Sequence, residues 1–229
     1  MINDFKNILW GKTTNHLSPV PDSDQLIHKE VITPLNILIN DAKQDGFNLK
    51  VLSGFRSYQQ QSAIWNNKAL GKRVLLNDLG EEISFESLSK SELLFQILRW
   101  SALPGASRHH WGTDFDIYDA NSLPSSDYQV QLTPQEVNPG GIFSPMHEWL
   151  DQKMQEDNFS FFRPYSKDLG GVAPERWHLS HKPLATDLLD LFTIDIFEEL
   201  IDQTSLELTD EIKHFKNEIF KNFILNISK

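Results

Sequence analysis

The chain contains no cysteine. No disulfide can staple it, and no thiolate can hold a metal or attack a substrate. Its 229 residues must build a core by apolar packing alone, and 15 Phe and 6 Trp supply the material. Any transition metal must sit on His, Asp or Glu. The formal charge of −11, from 21 basic and 32 acidic residues, sets the chain against a phosphate backbone, so no nucleic-acid partner is expected. Residues 1–6 lack the basic start and apolar run of a secretory signal. No run reaches the roughly 18 apolar residues of a membrane span. The most apolar tract near the C-terminus, Leu188 to Ile201, is interrupted by Asp190, Asp195, Glu198 and Glu199. The expectation is a soluble chain without a membrane span, cytoplasmic as written and periplasmic where a leader has been removed.

Hydrophobic spacing divides the chain. Residues 1–26 are polar and rich in turn formers, and read as irregular. Thr33-Pro34 offers an N-cap and a first-turn proline for a helix carrying Leu35, Leu38, Ile39 and Ala42, stopped by Gly46. Phe47 to Ser53 alternates as a strand. Ser57 opens a polar helix to about Ala69. Residues 70–106 read as an inserted region, in which Ser89 or Ser91 caps a helix from Glu92 to Trp100. His109 to Asp119 is a turn running into a strand. Thr133 to Glu136 has capping-box spacing. Ser144-Pro145 starts a helix to about Glu156, and Phe159 to Tyr165 is a strand. Beyond Pro183 the pattern is helical, with Leu184, Leu188, Phe192, Ile212, Phe215 and Ile219. Helices and short strands mix without strict alternation, which predicts an α+β fold.

Four of the eight histidines fall in two clusters about sixty residues apart. One runs from Ser107 to Asp116 and holds His109, His110, Asp114 and Asp116. The other runs from Pro174 to His181 and holds Glu175, His178 and His181. Two imidazoles and one carboxylate suffice for a catalytic metal that keeps an open position for water. Glu175, three residues before His178, has the chemistry to move that water's proton. Spacing alone does not choose among these groups, because only folding brings the clusters together.

Three motifs in order decide the comparison. The first is Ser53-Gly54-Phe55-Arg56-Ser57-Tyr58-x-x-Gln61, the second Ser107-x-His109-x-x-Gly112-x-x-x-Asp116, and the third Glu175-x-Trp177-His178. Together they resemble the LAS zinc metallopeptidases, most closely D-alanyl-D-alanine carboxypeptidases of the VanY type, over residues 30–183. The resemblance implies a small, mostly antiparallel sheet flanked by helices, a fold similar to that of hedgehog and DD-peptidase domains. It implies Zn2+ held by His109, Asp116 and His178, with Glu175 as the base and Arg56 as the group that binds substrate and steadies the developing oxyanion. Ser107 and Gln61 match residues that line the substrate pocket, with Gly112 permitting the turn between His109 and Asp116. Asp114 departs from a pattern that commonly has a small residue there; it is either an acceptor behind a ligand imidazole or a side chain facing water. His181 stands where an aromatic residue is common, as a substrate contact or a support, and His110 stands behind the ligands or at the surface.

The expected layout is a metallopeptidase domain over 1–183, with an insertion at about 66–106, and a helical C-terminal extension over 184–229 packed on it. The expected reaction is hydrolysis of the bond before a C-terminal D-alanine in peptidoglycan stem peptides or precursors. A D,D-dipeptidase, or an endopeptidase cutting L-Ala–D-Glu or a cross-bridge, would use the same ligands. A binding module that keeps its metal for structure would be expected to lack the base, and Glu175 is present.

Overall fold

A computed structural model describes residues 2–78 and 80–228. The first element corrects the reading of residues 1–26 as irregular: helix α1 (Ile2–Leu9) is followed by a hairpin of β1 (Leu17–Pro19) and β2 (Leu26–His28). Phe5, Ile8 and Leu9 set one apolar edge of α1 against a core supplied by distant residues. A helix this short is marginal by itself, so tertiary packing makes it. A tight turn at Lys29–Val31 feeds α2 (Ile32–Gln44) directly. Thr33-Pro34 thus lies inside the first turn rather than at the cap; Pro34 is tolerated there because that turn's N–H groups have no intrahelical acceptor.

The next elements are β3 (Leu49–Ser53) and α3 (Tyr58–Ala69), the latter opened by a reciprocal Ser57–Gln60 capping box. The chain then forms a small hairpin, β4 (Leu75–Leu76) with β5 (Glu82–Ile83), and α4 (Lys90–Trp100), capped by Ser89 with Glu92. Strand β6 (Asp114–Asp119) follows, then α5 (Pro134–Val137) and α6 (Ser144–Lys153). The strand expected over 159–165 shrinks to β7 (Phe161–Phe162). Arg163 turns to pair with Asp151, and Pro164 has no N–H for a ladder. Strand β8 (His178–His181) precedes α7 (Lys182–Leu191), α8 (Ile194–Asp202), α9 (Thr209–His214) and α10 (Lys216–Ile219), with a wider turn over Phe220–Ile224.

Strands β3, β6, β8 and β7 pair in that order, each antiparallel to its neighbour. The fold is the expected α+β arrangement of a small antiparallel sheet flanked by helices. Side chains alternate between sheet faces. Phe115, Ile117 and Leu179 therefore point together into a core closed by α2 and α6 through Leu35, Leu38 and Leu150. Asp114, Asp116, His178 and Ser180 point the opposite way, with Asp116 opposite His178 and Asp114 opposite Ser180. A second core joins α1, α3 and α4 to the C-terminal helices, around Trp65, Leu94, Trp111, Phe192 and Phe197. The polar face of the sheet looks toward this second assembly. No helix among the described residues is long and apolar enough to cross a membrane.

Candidate active site

Register places the two acidic-imidazole clusters side by side. Asp116 and His178 are cross-strand partners, and His109 arrives from the tight turn Arg108–Trp111 that precedes β6. Gly112 ends this turn at φ +69°, where a Cβ would stand 2.7 Å from the His28 nitrogen. A glycine is required on both counts. One ligand-type atom from each of His109, Asp116 and His178 lies within 4.8 Å of the others, and all three residues are buried.

Each imidazole is oriented from behind. His109 Nδ1 is 2.9 Å from the Gly54 carbonyl, so Nδ1 carries the hydrogen and Nε2 faces Asp116 Oδ2 at 3.5 Å. His178 uses the opposite nitrogen. Its Nε2 donates to Asp114 Oδ1 at 3.0 Å, leaving Nδ1 3.4 Å from Asp116 Oδ1 and 3.3 Å from Glu175 Oε2. These contacts are close enough for electrostatic attraction but lack hydrogen-bond alignment, and both His178 Nδ1 and Asp116 Oδ1 are buried without a hydrogen-bond partner. Buried polar atoms are rarely left so, and a metal ion is one explanation that fits this donor set. His109, Asp116 and His178 are thus residues that could hold a metal.

A bulge in β3 between Val51 and Ser53, opposite Asp116, turns the chain so that the Gly54 carbonyl meets His109. Gly54 sits against backbone; a Cβ there would come within 2.4 Å of the Leu26 carbonyl oxygen. Two residues on, Arg56 enters the cleft with Nη1 donating to Gln61 Oε1 (2.9 Å) and Nη2 to Ser53 Oγ (3.1 Å). Gln61 is fully buried and spends its amide on the Ala102 carbonyl (2.7 Å) and on Arg56. It stands behind the arginine, not in the pocket wall as the resemblance implied. His110 bridges backbone groups: Nε2 accepts from the Gly105 N–H (2.9 Å), and Nδ1 donates to the Arg56 carbonyl (2.5 Å). His181 is one residue out of phase with Ser180 and two strand positions beyond Leu179, so its ring lies on the other face, 5.6 Å from that of Phe161. It does not join the residues around the cleft, because alternation carries it away from His178.

Asp114 faces neither water nor the cleft. It is fully buried and accepts from Arg108 Nε (2.7 Å), Thr113 Oγ1 (2.6 Å) and His178 Nε2. Arg108 also donates to Ser180 Oγ (2.7 Å), and its guanidinium lies over the Trp111 ring. The motifs give Arg108 no role; its one signal in the sequence is that a charge at Asp114 needs a partner. Burial works to raise the Asp114 pKa, but Arg108 and His178 outweigh it and hold the carboxyl well below its usual range. Burial pushes the Glu175 carboxyl up, only partly opposed by His178. Burial pushes His109 down to about 4 despite Asp116. For His178 burial acts to lower the pKa, and the hydrogen bond to Asp114 with the carboxylates of Asp116 and Glu175 raises it well above the ordinary value. The local field favours a positive charge at this point.

The cleft measures about 340 Å³ and is lined by Arg56, Ser107, His109, Asp116, Glu175 and His178, among others. The family model for VanY, described as D-alanyl-D-alanine carboxypeptidase, matches residues 24–184. The chain belongs to this family. The VanY match spans all three motifs and the four-stranded sheet. An uncharacterized protein of Haemophilus influenzae is 31% identical over 54% of this chain and 93% of its own length. Among solved structures, VanYB in complex with D-alanine-D-alanine is similar with TM-score 0.52 and 21% identity, over 82% of this chain and 89% of that one. A mutant of a vancomycin-resistance D,D-pentapeptidase VanY in complex with Zn(II) is similar with TM-score 0.51 and 19% identity, over 87% and 92%. At these identities the structural likeness speaks to the fold. The VanY family is one of peptidoglycan-related peptidases, which the hydrolase, carboxypeptidase and cell-wall reading of the motifs anticipates.

The cleft wall also holds residues outside the three motifs: Lys68, Arg73, Trp100 and Tyr165. Tyr165 packs its ring 5.1 Å from that of His178, and burial raises its pKa to about 12. Lys68 had a signal in the sequence, since it lies seven residues after Gln61 on the same helix and so on the same face.

Proposed function

We propose that this chain is a zinc-dependent carboxypeptidase acting on the peptide bond before a C-terminal D-alanine in peptidoglycan stem peptides or their precursors. The observation that carries the reading is the convergence of His109 Nε2, an Asp116 oxygen and His178 Nδ1 beside half-buried Glu175 in an open cleft. A bound zinc ion supplies Lewis acidity toward a carbonyl oxygen and lowers the pKa of water to about 7. Glu175 takes a proton from water at its carboxylate and returns it to the leaving amine; burial raises its affinity for that proton. Arg56, steadied by Gln61 and Ser53, offers a planar fork to the terminal carboxylate or to the developing oxyanion. Asp114 holds the His178 ring with Nδ1 forward. Ser107 borders the cleft as a substrate contact. The peptidase domain spans 1–183, with the insertion at about 66–106 walling the cleft and residues 184–229 as a helical extension.

The test joins metal analysis of purified protein to mass spectrometry of a D-Ala-D-Ala-terminated peptide after incubation. Loss of one D-alanine is expected. Release of the intact dipeptide, or cleavage only in sacculi, would instead indicate a dipeptidase or an endopeptidase. Glu175→Ala should keep zinc and lose activity by about 10²- to 10⁴-fold, whereas His178→Ala should lose both. Normal turnover by Glu175→Ala would remove the assignment of the base.

A further inference from the structure

We infer that Lys68 and Arg73 form an anion subsite in the same cleft, which takes a second carboxylate carried by a peptide residue about three places from the C-terminus. The inference rests on the cleft being a peptidase site. Helix α3 carries the support of Arg56 at one end and a cleft residue at the other. Gln61, which grips Arg56, and Lys68 are seven residues apart, two turns on one face and about 10 Å along the axis. The Lys68 ammonium donates to Ser101 Oγ (2.7 Å), and Arg73, in the turn after α3, lines the same cleft. Among the described residues, neither cation forms an ion pair with a carboxylate.

A role in finishing the helix does not account for them. The carbonyls of Asn66, Asn67 and Lys68 already accept from the N–H groups of Leu70, Gly71, Lys72 and Arg73. Burial, together with the charges of Arg73 and Arg56, lowers the Lys68 pKa to about 8 against the pull of Glu175. In a chain of formal charge −11, Arg56, Lys68 and Arg73 thus line one cleft without a carboxylate paired to them among the described residues, whereas Arg108 there is held by Asp114. A point charge beside a planar fork suits a carboxylate. An extended peptide advances about 3.3 Å per residue, so the separation corresponds to about three residues. A side chain at that place ends either in a free carboxylate or in a neutral group such as its carboxamide. The subsite selects the acidic form.

The test uses two D-Ala-D-Ala-terminated peptides that differ in one group, a side-chain carboxylate or its carboxamide on the third residue from the C-terminus. With the zinc-loaded full chain, kcat/KM for the carboxylate form should exceed that for the carboxamide by roughly ten- to hundredfold. The ratio should fall toward about 1 in Lys68→Gln/Arg73→Gln and survive in Lys68→Arg/Arg73→Lys. Arg73 is exposed, so Arg73→Gln alone gives a reading that does not depend on a buried substitution. The same pair is compared by equilibrium binding to zinc-loaded Glu175→Ala. Equal treatment of the two peptides by the parent protein, or a ratio unchanged in the double glutamine variant, overturns the subsite. Absence of hydrolysis with the binding preference intact overturns the proposed reaction and supports the subsite; hydrolysis without preference does the reverse.

Discussion

Asp114 has no room for a neutral role. It is enclosed by Arg108, Thr113 and His178, and Arg108 is itself almost fully buried. Asp114→Asn keeps the volume but removes the charge that holds the His178 Nε2–H. The expected outcome is a ten- to hundredfold weaker zinc affinity, roughly the usual effect of losing such a partner, measured by competition with a chelator. Unchanged affinity would show that His178 orients itself. Asp114→Ala should also lower stability by about 3–5 kcal/mol, because the Arg108 charge is left buried and unpaired. Gly112 makes a different demand. An alanine there is strained by φ +69° and meets the His28 backbone, so Gly112→Ala should cost about 1–3 kcal/mol in urea unfolding.

At the scale of elements, the two middle strands separate core from chemistry by phase alone. Odd-numbered Phe115, Ile117 and Leu179 pack inward, while Asp114, Asp116 and His178 share the opposite face. A one-residue slip would exchange the two sets. This alternation was legible over β6 and was too short to read over β8. Helices α3 and α4 were legible from their caps, since Ser57 with Gln60 and Ser89 with Glu92 satisfy backbone donors locally. Helix α1 was not, because its apolar edge has meaning only against partners far along the chain. Ser57→Ala should lower stability by about 1 kcal/mol through loss of the α3 cap, read from chemical denaturation. Arg56 lies beside that cap and Gln61 within the helix, so a rise in KM is expected alongside.

For the whole molecule, the C-terminal helices are not peripheral. Leu188, Phe192, Phe197 and Leu200 share one core with α1, α3, α4 and Trp111, and Leu200 packs over Gly105 just before Ser107. Ending the chain at residue 183 should leave a poorly folded product without bound metal, judged by circular dichroism and metal content. A truncated chain that folds and keeps zinc would make the extension dispensable. Acid should also weaken the fold. Burial, reinforced by Arg163 and Arg176, lowers the His147 pKa from 6.5 to about 3. The unfolded chain takes up a proton below about pH 6.5 that the folded chain refuses until about pH 3. Stability is therefore flat above that window and falls as pH drops through it. The cost from this group at pH 5 is about 2 kcal/mol. His16 and His110, lowered to about 4 and about 3 by burial, act in the same sense. His147→Gln should flatten the slope of unfolding free energy between pH 6.5 and 5; an identical slope would contradict the assignment.

By itself the sequence determined the available chemistry. Without cysteine, and with two clusters of imidazole and carboxylate, it limited any metal site to those side chains, and the order of its motifs identified the family. Only the tertiary structure decided how they are used: which ring nitrogen of His109 and of His178 faces the cleft, that Gln61 and Asp114 stand behind other residues, that His181 points away, and that Lys68 and Arg73 belong to the wall. Side-chain type is local information. Orientation depends on strand register, sheet phase and backbone acceptors from segments tens of residues away, and those exist only once the chain has folded.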